Sequence, residues 1–260
     1  MSDHISDMSA ALASGAVQIV DLTHTLDPDF PVIILPPEFG QCARFRMEEV
    51  SAYDHRGPAW KWHNIMLNEH TGTHFDAPIH WISGKDVPNG AVDEIDPGVF
   101  VGPVVVIDCS EGAAQDDDFE LTPEVIEAWE VTHGRIPSDV WVLMRTDWSK
   151  RRGTSYLNMA EDGPHSPGPT PAAVELLLER DIRGFGTETV GTDAGQGSHY
   201  VPPYPAHYLL HGAGKFGLQC LNNLDQLPPT GAMLIAPPLK IKGGTGSPLR
   251  VLALVAGDTK

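Results

Sequence analysis

His70-Thr71-Gly72-Thr73-His74-Phe75-Asp76-Ala77-Pro78-Ile79-His80 is the stretch on which the reading of the chain turns. His70 and His74 are four apart, Asp76 follows two later, and His80 closes the run. Two neutral imidazoles and one carboxylate form a ligand set for a first-row divalent metal with coordination positions left open. His80 is a further imidazole, near enough to act as a base and not needed as a ligand. Histidines four apart could instead share one face of a helix with nothing bound, but a helix fits poorly here. Gly72 costs roughly 1 kcal/mol in a helix interior, and Pro78 breaks one. The expectation is His70 just beyond a strand end, with the ligands on a turn and a short following helix.

The flanks read as strands. Residues 60–68 carry aromatic and β-branched side chains into the motif, and residues 45–53 alternate ahead of them. Further upstream, residues 17–23 alternate as a strand. It ends at His24, which either approaches the metal or plays a structural part. Residues 31–39 hold three prolines and predict an extended loop that could reach a neighbouring subunit. Residues 9–16 read as a short helix or arm, so the chain divides into an N-terminal arm, 1–16, and a single catalytic domain, 17–260. Downstream, residues 104–108 and 140–145 are apolar enough for buried strands. Thr122-Pro123 and Thr170-Pro171 each supply an N-cap followed by proline at the first helical position, opening helices to about Val131 and Arg180. Residues 184–187 are extended, 207–212 look helical, and 232–236 and 249–255 read as closing strands. The mixture predicts an α/β fold.

Composition narrows the function. A chain of 260 residues, 41% hydrophobic, can bury one sizeable core. A net charge of -18 argues against nucleic acid as a partner and favours cation capture and expulsion of an anionic product. Cys42, Cys109 and Cys220 are odd in number and widely spaced, which fits a reducing cytoplasm rather than a disulfide framework. No apolar run approaches the roughly 20 residues of a membrane span. Met1-Ser2-Asp3-His4 has no basic region and no long apolar core of a secretory signal.

The motif H-x-G-T-H-x-D-A-P-x-H, from His70 to His80, resembles the signature of the metal-dependent cyclase family, which includes kynurenine formamidases and isatin hydrolases. Tyr53-Asp54-His55-Arg56-Gly57-Pro58-Ala59-Trp60-Lys61-Trp62-His63-Asn64 and Trp81-Ile82-Ser83-Gly84-Lys85-Asp86 are more similar to the isatin hydrolases. The resemblance implies a mixed β-sheet curled towards a barrel, with helices packed outside. It implies a homodimer, and it carries two further positions. Where kynurenine formamidases hold a second metal with a histidine and a glutamate twelve residues later, this chain has His207 and Gln219. Glutamine is neutral, so one metal per chain is expected. Gln219 then either offers its amide oxygen as a ligand or stands behind the ligands, and His207 is free to contact substrate. Glu188 and Gly191 stand where the formamidases usually have aspartate and serine, while Asp193 is kept and either orients a ligand histidine or caps a turn.

The chemistry follows from these residues. A metal held by His70, His74 and Asp76 would polarise a carbonyl and lower the pKa of bound water towards neutrality. His80 would take a proton from that water and return one to the leaving nitrogen. Two imidazoles and a carboxylate suit zinc; an added amide oxygen and waters favour manganese, which the resemblance to isatin hydrolases also implies. Trp60, Trp62 and Trp81 flank the motif and could wall a slot for a flat aromatic ring. The resulting expectation is a manganese-dependent amidohydrolase opening the lactam of isatin, a small cyclic amide, to isatinate. The alternatives are an aryl formamidase acting on N-formylkynurenine and a non-catalytic protein with a closed metal site.

Overall fold

The computed structural model describes residues 3–257 of the chain. Residues 1–2 and 258–260, the outer ends of the two spans set from sequence, lie outside the described residues. Helix α1 (His4–Ser14) starts earlier than the alternation suggests, because Asp3 caps it by accepting from the Ser6 amide at 3.4 Å. None of its residues is buried. The strands are β1 (Val17–Asp21), β2 (Arg46–Asp54), β3 (Gly57–Met66), β4 (His74–Asp76) and β5 (Val101–Asp108). Helix α2 (Pro123–His133), β6 (Trp141–Arg145), α3 (Pro171–Glu179) and β7 (Gly184–Thr187) follow. The chain then closes with β8 (Phe216–Gln219), β9 (Ala232–Ile235), β10 (Gly246–Pro248) and β11 (Leu252–Ala256). Of the two predicted caps, the Thr170 hydroxyl accepts from the Ala173 amide at 3.2 Å, whereas Thr122 makes no side-chain cap.

Nine strands form one sheet in the order β1-β11-β9-β5-β6-β7-β8-β4-β10. The central β5, β6, β7 and β8 are parallel, and both flanks are antiparallel. Past the end of β8, the Asn222 amide donates to Leu22 O, past the end of β1, at 2.9 Å. In a flat sheet those strands, six places apart, would be about 29 Å from each other. The sheet is therefore curled into a half-barrel, with the mixed α/β architecture expected from sequence. Alternation along β5 and β6 fills both layers. Val104, Val106, Trp141 and Leu143 point into the curl with Phe75, Leu218 and Leu234. Val105, Ile107, Val142 and Met144 point outward and are covered by Ile126 and Trp129 of α2 and Val174 and Leu177 of α3. Strands β2 and β3 pair only with each other, as a separate two-stranded ribbon.

Candidate metal centre and active site

The motif does not pass directly from turn to helix. After His70 the chain makes a bend, and His74, Phe75 and Asp76 form β4, an inner strand paired with β8 on one side and β10 on the other. His70 lies on a turn beyond the end of β3, as expected, and a short helical turn does follow, but only after this strand, which carries His74 and Asp76 in place of the expected turn. In a strand, residues two apart share a face, so His74 and Asp76 point one way and Phe75 points into the core. A short 3-10 turn, Pro78–His80, then brings His80 back towards His70. Two glycines make room. Gly217 on β8 and Gly246 on β10 both lie opposite Asp76. A methyl group on Gly217 would sit 3.0 Å from Asp76 Oδ2, and one on Gly246 would sit 2.5 Å from His70 Cε1.

The hydrogen bonds decide where the protons are. His74 Nδ1 lies 2.8 Å from Gly72 O, a carbonyl that can only accept, so Nδ1 carries the proton. His74 Nε2 is then a bare acceptor, buried and with no hydrogen-bond partner. Thr245 Oγ1 donates to Glu69 Oε2 at 2.7 Å and so accepts from His70 Nε2 at 2.9 Å. His70 Nδ1 is thereby also bare, and it lies 2.8 Å from Asp76 Oδ1; His74 Nε2 lies 3.3 Å from the same oxygen. Three acceptors with no proton among them converge on one point, all within 4.8 Å of one another. A positive charge at that point, a metal ion or a proton, reconciles the arrangement, and the donor set fits a first-row divalent metal. Burial alone would raise the pKa of the fully enclosed Asp76, but positive charge shared with His74 and His70 at this point holds it well below the usual carboxylate range.

Gln219 and His207 face the other oxygen of Asp76. The Gly191 amide donates to Gln219 Oε1 at 2.8 Å, which turns the Gln219 NH2 inward. That NH2 donates to Asp76 Oδ2 and, at 3.2 Å, to His207 Nε2. His207 Nδ1 in turn donates to Asp193 Oδ2 at 2.5 Å. Burial pulls the His207 pKa down, and the Asp193 bond more than restores it, for a net rise. In this geometry the Gln219 oxygen expected as a ligand is engaged by Gly191, and Gln219 reaches a cation at the centre only through Asp76.

His80 stacks on His70, with ring centroids 3.9 Å apart, and its centroid lies 5.6 Å from that of His207. None of the described residues hydrogen-bonds its imidazole. Burial pushes its pKa down to about 2 despite the opposing pull of Asp76, so the ring is neutral. Trp81 lies 4.7 Å from His207 and 5.7 Å from Tyr204, ring to ring, and forms an aromatic wall beside His80. Trp60 and Trp62 do not join it: they sit on β3, 6.1 Å from each other, on the exposed ribbon. His24 turns away from the motif side chains; its amide donates to Thr73 Oγ1 at 3.0 Å and its ring packs against Phe30 and Tyr156. Glu188, buried, accepts from the amides of Thr146 and Asp147 and from Ser149 Oγ, and so braces a loop rather than the centre.

His211 was not singled out from sequence. Its Nε2 is buried without a partner, and with Asp76 and His207 it forms a second group of metal-type donors. Its four-residue spacing from His207 in a helical stretch was the available signal. Burial, then the charge of His207, brings its pKa down to about 4.

Comparison with known proteins agrees with this geometry. Residues 20–194 match the family model described as "Putative cyclase". The chain is 52% identical to the isatin hydrolase of Roseibium aggregatum over 96% of this chain and 97% of that one. Its structure is similar to isatin hydrolase A from Labrenzia aggregata bound to benzyl benzoate, with a TM-score of 0.97, 80% identity, and coverage of 98% of this chain and 100% of the other. It is also similar to an isatin hydrolase bound to the product analogue thioisatinate, with a TM-score of 0.96, 51% identity, and coverage of 98% and 100%.

Proposed function

The chain belongs to the cyclase family, and from that premise we propose that it is a hydrolase that opens the lactam of isatin to isatinate. The observation that carries the reading is the convergence of bare His70 Nδ1, bare His74 Nε2 and Asp76 Oδ1 beside the unbonded ring of His80. A divalent cation bound by His70, His74 and Asp76 supplies Lewis acidity, polarising a carbonyl and acidifying water. The residues around it do the rest. Gly72 O and Thr245 hold the two imidazoles in the tautomers that face the centre. Gln219 holds Asp76 Oδ2, which leaves Oδ1 for the centre. Trp81 offers a flat face to an indole dione beside the histidines. His80 accepts a proton from water at a ring nitrogen as the water oxygen bonds to the lactam carbonyl carbon. The C–N bond then breaks, the ring nitrogen takes that proton to become an aryl amine, and the new carboxyl group ionises.

The finer parts of the reading are manganese as the metal, with zinc as second choice, one ion per chain, a cytoplasmic setting and a homodimer. The absence of disulfides among the described residues supports the reducing setting, since Cys42, Cys109 and Cys220 are all free. The exposed apolar ribbon supports the homodimer. The decisive experiment assays one preparation with isatin and with N-formylkynurenine beside metal analysis. Isatin turnover dependent on the bound metal is expected. A large preference for formylkynurenine would move the substrate to the aryl formamides, and a tightly held metal with neither activity would make the centre structural.

A further inference from the structure

A cavity of about 420 Å³ opens between the loop after β1 and the segment around Arg152. That volume falls within the range of small-molecule sites. Its floor is aromatic: the rings of His24, Phe30 and Tyr156 are mutually 5.5 to 5.8 Å apart. His24 Nε2 is buried there without a hydrogen-bond partner.

Charges of both signs line it. Arg145, Arg151, Arg180, Arg183 and Arg250 all pair with carboxylates. Arg152 pairs with none among the described residues. Its Nη1 is instead fixed by the carbonyls of Ser149 and Arg151 at 2.5 and 2.8 Å. Asp27 and Asp29 line the same cavity and have no cationic partner among the described residues. Asp27 only accepts from the Asp29 amide, at 2.8 Å. Opposite charges on one cavity, not paired with each other, are the complement of a ligand that carries both signs.

We propose that this cavity binds an aromatic α-amino acid as its zwitterion, with the carboxylate on Arg152, the ammonium on Asp27 and Asp29, and the ring against His24, Phe30 and Tyr156. A guanidinium held by two carbonyls is preorganised for a carboxylate. Burial and the Arg152 charge hold His24 neutral, with its pKa pushed down to about 4, so its ring adds no competing charge. The site is independent of the hydrolytic reading: the His24 amide meets the motif only through Thr73, whose hydroxyl donates to Cys220 O at 2.6 Å.

The test is calorimetric titration of the metal-loaded protein with L-phenylalanine, L-tyrosine and L-tryptophan. Phenethylamine and 3-phenylpropanoate, each lacking one charge, are the controls. At least one amino acid is expected to bind, with both controls weaker by about tenfold or more. Arg152→Gln should weaken the amino acid by a similar factor, and Asp29→Asn should weaken it while leaving 3-phenylpropanoate unchanged. Thermal melts confirm that both surface variants are folded. No binding by any of the three amino acids, or binding that Arg152→Gln leaves unchanged, overturns the proposal.

Discussion

At the centre, each residue's value lies in what it leaves unprotonated. His70 and His74 present lone pairs because Thr245 and Gly72 take up their other nitrogens. The His80 ring differs from both in having no hydrogen bond from any described residue to hold it. His80→Ala is therefore expected to lower kcat for isatin by about a hundred- to ten-thousand-fold, the usual span for a lost proton-transfer group. Metal content, read by elemental analysis, should stay near that of the parent. Loss of metal together with activity would instead make His80 a ligand. Gln219 tests the opposite property, since its amide protons meet Asp76 and His207, where a cation would otherwise compete. Gln219→Glu removes those protons and adds a charge, so metal per chain is expected to rise above the parent value at saturating manganese or zinc. An unchanged stoichiometry would show that Gln219 does not guard that side. The candidate ligands and His80 were nameable from sequence because they are contiguous and their side chains carry the chemistry. Thr245, Gly217, Gly246 and the Gly191 amide were not. They arrive from more than a hundred residues away and act through space, a hydroxyl or a backbone N–H, none of which leaves a local pattern.

At the scale of elements, the motif teaches where spacing misleads. His70 and His74 are four apart, as on a helix, yet β4 is a strand and His70 joins it through a bend. Pairing on both sides overrides local propensity, and a three-residue strand is too short to show period-two alternation in sequence. Phe75 locks that strand. It is fully buried, stacked 5.5 Å from Phe216 and edge-on to Phe100. Phe75→Ala is expected to cost about 3–5 kcal/mol in denaturant unfolding. It should also weaken metal affinity, because its neighbours on the strand, His74 and Asp76, are the candidate ligands. Full stability with intact metal binding would mean that β4 is held by its ladder alone. Elsewhere, His165 ties two loops by contacting Asp162 Oδ1 at 3.0 Å and Asp118 Oδ2 at 2.6 Å. Those two carboxylates, Asp162 first, raise its pKa from 6.5 to about 9. A raised folded-state pKa stabilises fully below the unfolded value and is lost as pH rises through the folded one. The melting-temperature gap between the parent and His165→Gln should thus be largest below about pH 6.5 and close towards pH 9 and above. A gap constant across that window would exclude the clamp.

The whole molecule puts its candidate centre on a half-barrel and exposes two tryptophans on a ribbon that pairs only with itself. Curling lets one core serve both ends of the sheet, and that shape could not be read from alternation, which reports faces and not curvature. The ribbon, by contrast, was visible as two strands, but where its tryptophans point was not. Trp60 and Trp62 are 46% and 57% exposed and share one face of the ribbon with exposed Met66, while Met47 and Ile65, also exposed, lie on the other face. A two-stranded ribbon pairing only with itself is marginal in water, and contiguous exposed apolar surface marks an interaction site. A second copy of the chain would meet both needs, and would bring the ribbon's tryptophans to its partner. With a net charge of -18, the copies repel at long range, so the contact has to be apolar and should tighten with salt. Light scattering after size exclusion is expected to give a dimer, more so at high ionic strength, and Trp62→Glu is expected to give a monomer. The monomer should keep its metal, because His70, His74 and Asp76 come from one chain, while KM for isatin rises if Trp60 and Trp62 wall the partner's slot. A parent chain that is monomeric at every salt concentration would sink the dimer. A dimeric Trp62→Glu would move the interface off this face of the ribbon.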